Sequence, residues 1–449
     1  MKKLTRKGSL ILYGCSGLGV NMLNLIVGSY LCSALLVGGF EKNAAQWTYF
    51  NKDIVISGIW AVMIVIAKIL DGLIDLPLSH FVDNIKSRFG KRKTGILLGY
   101  VPMVVTYLLF LVPINTEASA LNTVWFGALL LIYYCAYTLT MITYYATFAE
   151  VSDDEKGIIL LSNTKSICDV IYFCLGFALL PAFISMGLNI RLVALIFLPL
   201  SLTMLIPVML LKENFSQGEV TESSDKMEHP TFLQALRFAL KDKAFIGWLF
   251  VLAVVNLGLQ LFLSGINEYF STLGLDMTFI MASCFIPVPF TILIYNQIVK
   301  KRGLGFAYRY ILLVFSAGMV LMGLVRLVPQ QFCYAYAICC SLIVSLSIGA
   351  FFSVSYTVPS QCAALRKEVT QNTSSMYFAI QGMFEGASAS LASGPILVFF
   401  KEHDTAFMPY LTFAVAGLCM AAFVMTFFLP KGITTIGKKL ECTKACYRT

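Results

Sequence analysis

Long apolar runs separated by short polar clusters fill the chain from end to end. About 20 residues at a rise of about 1.5 Å cross the hydrocarbon of a bilayer, so a run of ~18 or more predicts a membrane-spanning helix. Twelve runs qualify, at roughly 10–38, 54–82, 94–114, 122–149, 159–185, 190–211, 244–271, 278–300, 309–328, 332–358, 371–400 and 408–430. The first follows a basic start (Lys2, Lys3, Arg6, Lys7). It is longer than a signal peptide and has no convincing small-x-small cleavage site, so it is read as a retained helix.

The polar clusters set the orientation. Cytoplasmic loops collect Lys and Arg, and placing both termini inside puts most of the 33 basic residues there. The densest groups are Lys86 to Lys93, Lys300 to Arg302, and the tail from Lys431. The outside then keeps only Lys42, Lys52, Arg191, Arg326 and Lys401. The longest polar interruption, 212–243, falls near the midpoint. Its acids keep it in water, while Phe232, Leu233, Leu236 and Leu240 suit a short amphipathic helix on the membrane surface. The expected organisation is an N-terminal six-helix bundle (1–211), a cytoplasmic linker (212–243), a C-terminal six-helix bundle (244–430) and a basic tail (431–449). A faint internal echo, a basic glycine-containing loop after the second helix (Gly90) and after the eighth (Gly303), suggests two homologous halves. Alternating-access transporters use such repeats, with the binding site near the midplane.

Composition agrees. The chain is 58% hydrophobic and only 13% charged, against about 25% charged in soluble domains. That excludes a soluble enzyme, a disordered chain and a secreted disulfide scaffold, and leaves an all-α polytopic membrane protein. The thirteen Cys carry no CxxC pair and read as buried apolar side chains. The net charge of +9 is accounted for by topology, so no nucleic-acid partner is expected. No catalytic residue and no cofactor beyond a coupling ion is expected either.

Charged groups inside the spans need a reason, since each costs roughly 2.5–3.5 kcal/mol at mid-bilayer on insertion scales. Lys68, Asp71 and Asp75 share one face of the second helix. Two carboxylates one turn apart make a hard-oxygen site for Na⁺ or H⁺; the alternative is a structural ion pair with Lys68. Lys165 and Asp169 form an i, i+4 pair in the fifth helix, again open to a structural reading. Glu385 stands among small residues in the eleventh, where a helix-packing seam is the alternative. Asn21, Asn24, Asn256, Gln260 and Gln381 are polar but uncharged. The fourth helix is rich in Tyr and Thr (Tyr133, Tyr134, Tyr137, Thr138, Tyr144, Tyr145), a surface suited to the C–H face and hydroxyls of a sugar.

The stretch from Lys68 through Asp71 and Asp75 to Pro77, continuing through Asp83 and Arg88-Phe-Gly90-Lys91-Arg92-Lys93, resembles the glycoside–pentoside–hexuronide:cation symporters of the major facilitator superfamily. Tyr145 to Glu150, Asp154 to Lys156 and Lys165 are similar to that family's helix 4–5 segment, and Gln381 to Ser388 to its helix 11 segment. The resemblance implies a major facilitator fold and cation-coupled symport (Na⁺ or H⁺) of a sugar, glycoside or uronide. It assigns Asp71 and Asp75 to the cation, Lys68 to charge pairing, and Asn21, Tyr144, Tyr145, Lys165, Gln381 and Glu385 to the substrate. Asp83, Arg88, Gly90, Lys91 and Arg92 would form a cytoplasmic gating loop. Several family positions differ: Asn21 replaces a sugar-binding Asp, Tyr145 a stacking Trp, Lys165 an Arg and Glu385 a Lys. Animal relatives that move lysolipids offer an alternative cargo, and a non-transporting membrane sensor an alternative role. The expected partners are a small-molecule substrate and membrane lipid, with the chain acting as a monomer in the cytoplasmic membrane.

Overall fold

The computed structural model describes residues 6–38, 40, 44–83, 85, 87–147, 151, 155–211, 243–365, 374–402 and 407–434. Within the helices some side chains fall outside the described set, those of Asp75, His80 and Asp83 among them. The expected amphipathic linker helix and the tail beyond 434 also lie outside it. The regular elements among the described residues are all helices, twelve of them long and apolar enough to cross a membrane.

Numbered in chain order, these are α1 (Lys7–Leu31), α2 (Ser57–Ile74), α3 (Lys91–Phe110), α4 (Ala120–Tyr145), α5 (Ile167–Ser185), α6 (Ile190–Leu210), α7 (Lys243–Thr272), α8 (Met277–Val299), α9 (Leu304–Leu327), α10 (Gln330–Phe351), α11 (Ile380–Glu402) and α12 (Met408–Phe428). The helix carrying α2 runs on to Asp83, and Lys165 sits in the helix Glu155–Cys174 that leads into α5. Many large apolar side chains face outward, including Val62, Val101, Ile132 and Phe290. In water such a surface would aggregate; against lipid it is the expected one.

Helix ends follow local chemistry. Ser119 caps the helix of α4 by accepting from the Asn122 N–H (3.2 Å). Asn122, fully buried, fastens the preceding loop: its carboxamide donates to Ile54, Asn115 and Glu117 carbonyls and accepts from the Ile114 and Asn115 N–H groups. The two glycines of the internal echo adopt matching backbones. Gly90 precedes α3 with φ 100° and ψ 144°, and Gly303 precedes α9 with φ 87° and ψ 165°. Only glycine, which has no Cβ, adopts this region at little cost.

Contacts group the chain into two units. The first holds Met1–Glu228 together with Gln260–Ala282 and Gly386–Leu411; the second holds His229–Leu259, Ser283–Glu385 and Thr412–Thr449. This differs from a division at the linker, because the latter parts of α7 and α11 pack with the first six helices. Small residues permit it: a Cβ on Gly394 would lie 2.9 Å from the Ala61 carbonyl oxygen, and one on Gly386 3.1 Å from that of Lys68. The first unit's core is built on Tyr13, Tyr107, Phe110, Phe126 and Tyr133, and the second's on Trp248, Tyr308 and Phe315.

Three helices of the first unit contain a π-turn: Ile26–Leu31 in α1, Leu175–Leu179 in α5 and Ala392–Ile396 in α11. Such turns widen the helix locally and recur at functional sites. That in α5 frees the Gly176 carbonyl to accept from the Tyr30 hydroxyl at 2.8 Å.

Candidate functional site

Helix α4 organises the polar interior of the first unit. Its Tyr134 ring lies under the Lys68 ammonium, 4.2 Å from Nζ to centroid. One turn later Thr138 donates to Asp71 Oδ1 at 2.9 Å. A step of three along α2 thus meets a step of four along α4, so the two helices run in the same direction at this contact. Lys68 and Asp71 are both half-buried. Among the described residues no carboxylate lies within 4.0 Å of the Lys68 ammonium, which takes a cation–π contact instead. The backbone of Asp75 continues the same helix one turn on, and its side chain lies outside the described ones.

The next exposed edge of α4 joins α1 and the helix of α5. The Tyr137 hydroxyl donates to Asn21 Oδ1 (3.0 Å), Asn21 Nδ2 donates to Asp169 Oδ1 (3.2 Å), and Asp169 Oδ2 pairs with Lys165 Nζ (2.5 Å). Lys165 also lies 5.2 Å from the centroid of the Tyr145 ring. The pair keeps roughly a quarter of its side-chain surface exposed, 21% and 29%, so it remains reachable by a ligand. Asn21 is enclosed (7% exposed), whereas Tyr145 is open (39%). Sequence reasoning placed Asn21, Lys165 and Tyr145 in one site, and the structure brings them together with Asp169 and Tyr137.

Tyr144 is placed differently. It is fully buried, stacked on Tyr13, and its hydroxyl donates to the Tyr13 and Gly14 carbonyls. Its role here is to hold α4 against α1, because its position on α4 faces the α1 backbone while Tyr145 turns away.

In the second unit Gln381 and Glu385 form their own cluster. Gln381 Nε2 donates to Glu385 Oε1 at 3.0 Å and its oxygen accepts from the Trp248 indole at 3.2 Å. The Glu385 carbonyl accepts from Asn256 Nδ2 at 2.7 Å. In the loop before α3, Arg88 is exposed, Gly90 sets the turn, and Lys91 and Arg92 open the helix. The side chain of Asp83, the remaining member of that motif, is not described.

One constellation escaped the sequence reading. Lys401, expected in an outer loop, is 3% exposed, and Glu268 in α7 is 0% exposed. Lys401 Nζ donates to Glu268 Oε1 (2.8 Å), to the Ser33 hydroxyl and carbonyl (both 2.9 Å) and to the Leu36 carbonyl (3.4 Å). Ser33 also donates to Glu268. The triad ties α7 and α11 to the end of α1. Glu268 lies within a predicted span, so the cost argument that singled out Asp71 would have found it too.

Helices that are apolar outside and carry ionisable groups inside make this a polytopic membrane protein, and the family match makes it a transporter rather than an enzyme. A family model described as "MFS/sugar transport protein" matches residues 12–429, and the chain belongs to that family. No curated protein matches it significantly in sequence. Among solved structures, the nucleoside transporter NupG superposes with a TM-score of 0.64 at 14% identity, over 95% of this chain and 99% of that one. A bacterial homologue of the iron transporter ferroportin in an inward-facing state gives 0.63 at 13% identity, covering 95% and 99%. A POT family transporter in complex with 5-aminolevulinic acid gives 0.60 at 13%, covering 95% and 96%. At these identities the likeness is one of fold.

Proposed function

We propose that this transporter is a secondary active symporter, moving a sugar, glycoside or uronide together with Na⁺ or H⁺ by alternating access in a cytoplasmic membrane. The observation that carries the reading is Asp71: a half-buried carboxylate mid-helix, held by the Thr138 hydroxyl, with its neighbouring lysine turned onto an aromatic ring. A carboxylate whose lysine neighbour interacts only from beyond 4.0 Å is stabilised further by an arriving cation. The sequence motif adds Asp75, one helical turn further on, as the second acid.

A cation on Asp71 neutralises the charge and favours a substrate-competent state; a ligand shifts the equilibrium only by its differential affinity for the two states. The driving force is about 2.3 kcal/mol per charge per 100 mV, with the ion gradient in addition. The chain Tyr137–Asn21–Asp169–Lys165, beside the open Tyr145 ring, offers donors, acceptors and an aromatic face to a sugar. The family's description as sugar transport supports that substrate class, and the helix 2 motif supports cation coupling.

Asp71→Asn tests the reading. In proteoliposomes the variant retains insertion and fold but loses concentrative, cation-driven uptake of glycosides. Wild-type accumulation by Asp71→Asn would remove the coupling assignment.

A further inference from the structure

The first unit encloses a cavity of about 20 Å³ between α1, α2, α4, α7 and α11, with Lys68, Lys401, Cys32, Ser264, Ser393 and Trp60 in its wall. That is room for one particle of water or small-ion size. Its walls include the π-turns of α1 and α11, through Gly28 and Ser393. A Cβ on Gly28 would stand 4.0 Å from Lys68 Nζ, so the glycine leaves the ammonium its space.

The charge of the lining is one-sided. Two ammonium groups face the cavity and, among the described residues, no carboxylate does. Lys401 is answered from behind by Glu268. Lys68 has the Tyr134 ring in contact and Asp71 as a charge partner beyond 4.0 Å, with no hydrogen-bond acceptor among the described residues. Ser264, 4% exposed, likewise has a hydroxyl without a partner among them. Unmet N–H and O–H donors in a mostly apolar pocket select an acceptor. An anion outcompetes water there, because hydrogen bonds to an ionised acceptor are about twice as strong and an uncompensated buried charge is costly.

We propose that this cavity is a binding site for a small monovalent anionic group, seated between Lys68 and Lys401 with Ser264 donating. The group is either a free halide from the medium or the carboxylate of an acidic substrate; both present a single negative charge to the lysine. Asp71 lies one turn along from Lys68. An anion on Lys68 therefore strengthens cation binding at Asp71, and the cation strengthens anion binding by the same factor. The site itself stands without the symport reading.

Thermal unfolding of the purified protein in nanodiscs, at fixed Na⁺ and ionic strength, tests it. Chloride or formate raises the midpoint by about 2–4 °C over 2-(N-morpholino)ethanesulfonate, whose bulky tetrahedral sulfonate does not enter. The increment disappears in Lys68→Met and in Ser264→Val; the second carries the test if the first does not fold. Stabilisation by chloride assigns the free ion. Stabilisation by a uronate in the same sulfonate buffer, absent with the matching neutral glycoside, assigns the substrate carboxylate. Equal midpoints in every salt and with either sugar overturn the proposal, as does a salt effect that both variants retain. Because Na⁺ is constant throughout, a negative result leaves the role of Asp71 standing, and Asp71→Asn uptake still decides that separately.

Discussion

Replacing Lys401 by Met removes one ammonium and its four close contacts, to Glu268, to both oxygens of Ser33 and to the Leu36 carbonyl. What remains is a carboxylate at 0% exposure whose Oε2 already lacks a partner. Breaking a buried pair by deleting one member costs about 3–5 kcal/mol, because the other charge is stranded. That penalty falls on the arrangement in which α1, α7 and α11 are tied, so opening of this end becomes easier by roughly two to three and a half orders of magnitude. Cys32 reports it from within: it is 8% exposed and lines the cavity that Lys401 also lines. Alkylation by an impermeant maleimide, read on the Cys32 peptide by mass spectrometry, accelerates by about 100-fold or to its fully open limit. In Lys401→Met/Glu268→Gln the stranded charge is gone, and both labelling and melting midpoint return most of the way. Unchanged Cys32 labelling in the single variant, or a double variant worse than the single, would refute the argument.

Other expectations follow from single contacts. Thr138→Val removes the hydroxyl on Asp71; a hydrogen bond to a charged group is worth about 1.5–3 kcal/mol, and its loss falls on the cation-free carboxylate, so the cation concentration for half-maximal uptake falls by up to about tenfold, with expression intact. Gly90→Ala forces a Cβ at φ 100° and costs about 1–3 kcal/mol, seen as a lower unfolding midpoint; Gly303→Ala, at φ 87°, does the same. Asn122→Leu strands carbonyl and N–H groups of the loop before α4 and costs about 3 kcal/mol, read as a lower midpoint with cation dependence unaltered.

The polar interior was legible in part. A charge within an apolar run is visible in one dimension, and that rule alone isolates Lys68, Asp71, Lys165 and Glu385. It does not say what each one touches. Lys68 and Asp71 are three residues apart on one face, which suggests an ion pair; the register of α2 against α4 instead gives one to Tyr134 and the other to Thr138. Tyr144 and Tyr145 are neighbours of equal chemistry, yet a 100° step sends the first into the α1 backbone and leaves the second open. Lys401 read as an outer-loop residue because its partner is 133 positions away.

Hydropathy and basic loops were enough to determine that the chain is a twelve-helix membrane protein, since crossing lipid demands long runs of apolar residues whatever their neighbours. The paired glycines before α3 and α9 were readable for a similar reason: a backbone at positive φ admits few alternatives to glycine. Partnership was decided only in three dimensions. Which carboxylate is bridged, which lysine faces a ring, and which parts of α7 and α11 join the first unit all depend on the register and spacing of helices far apart in the chain, and those are set by side-chain packing that no local pattern encodes.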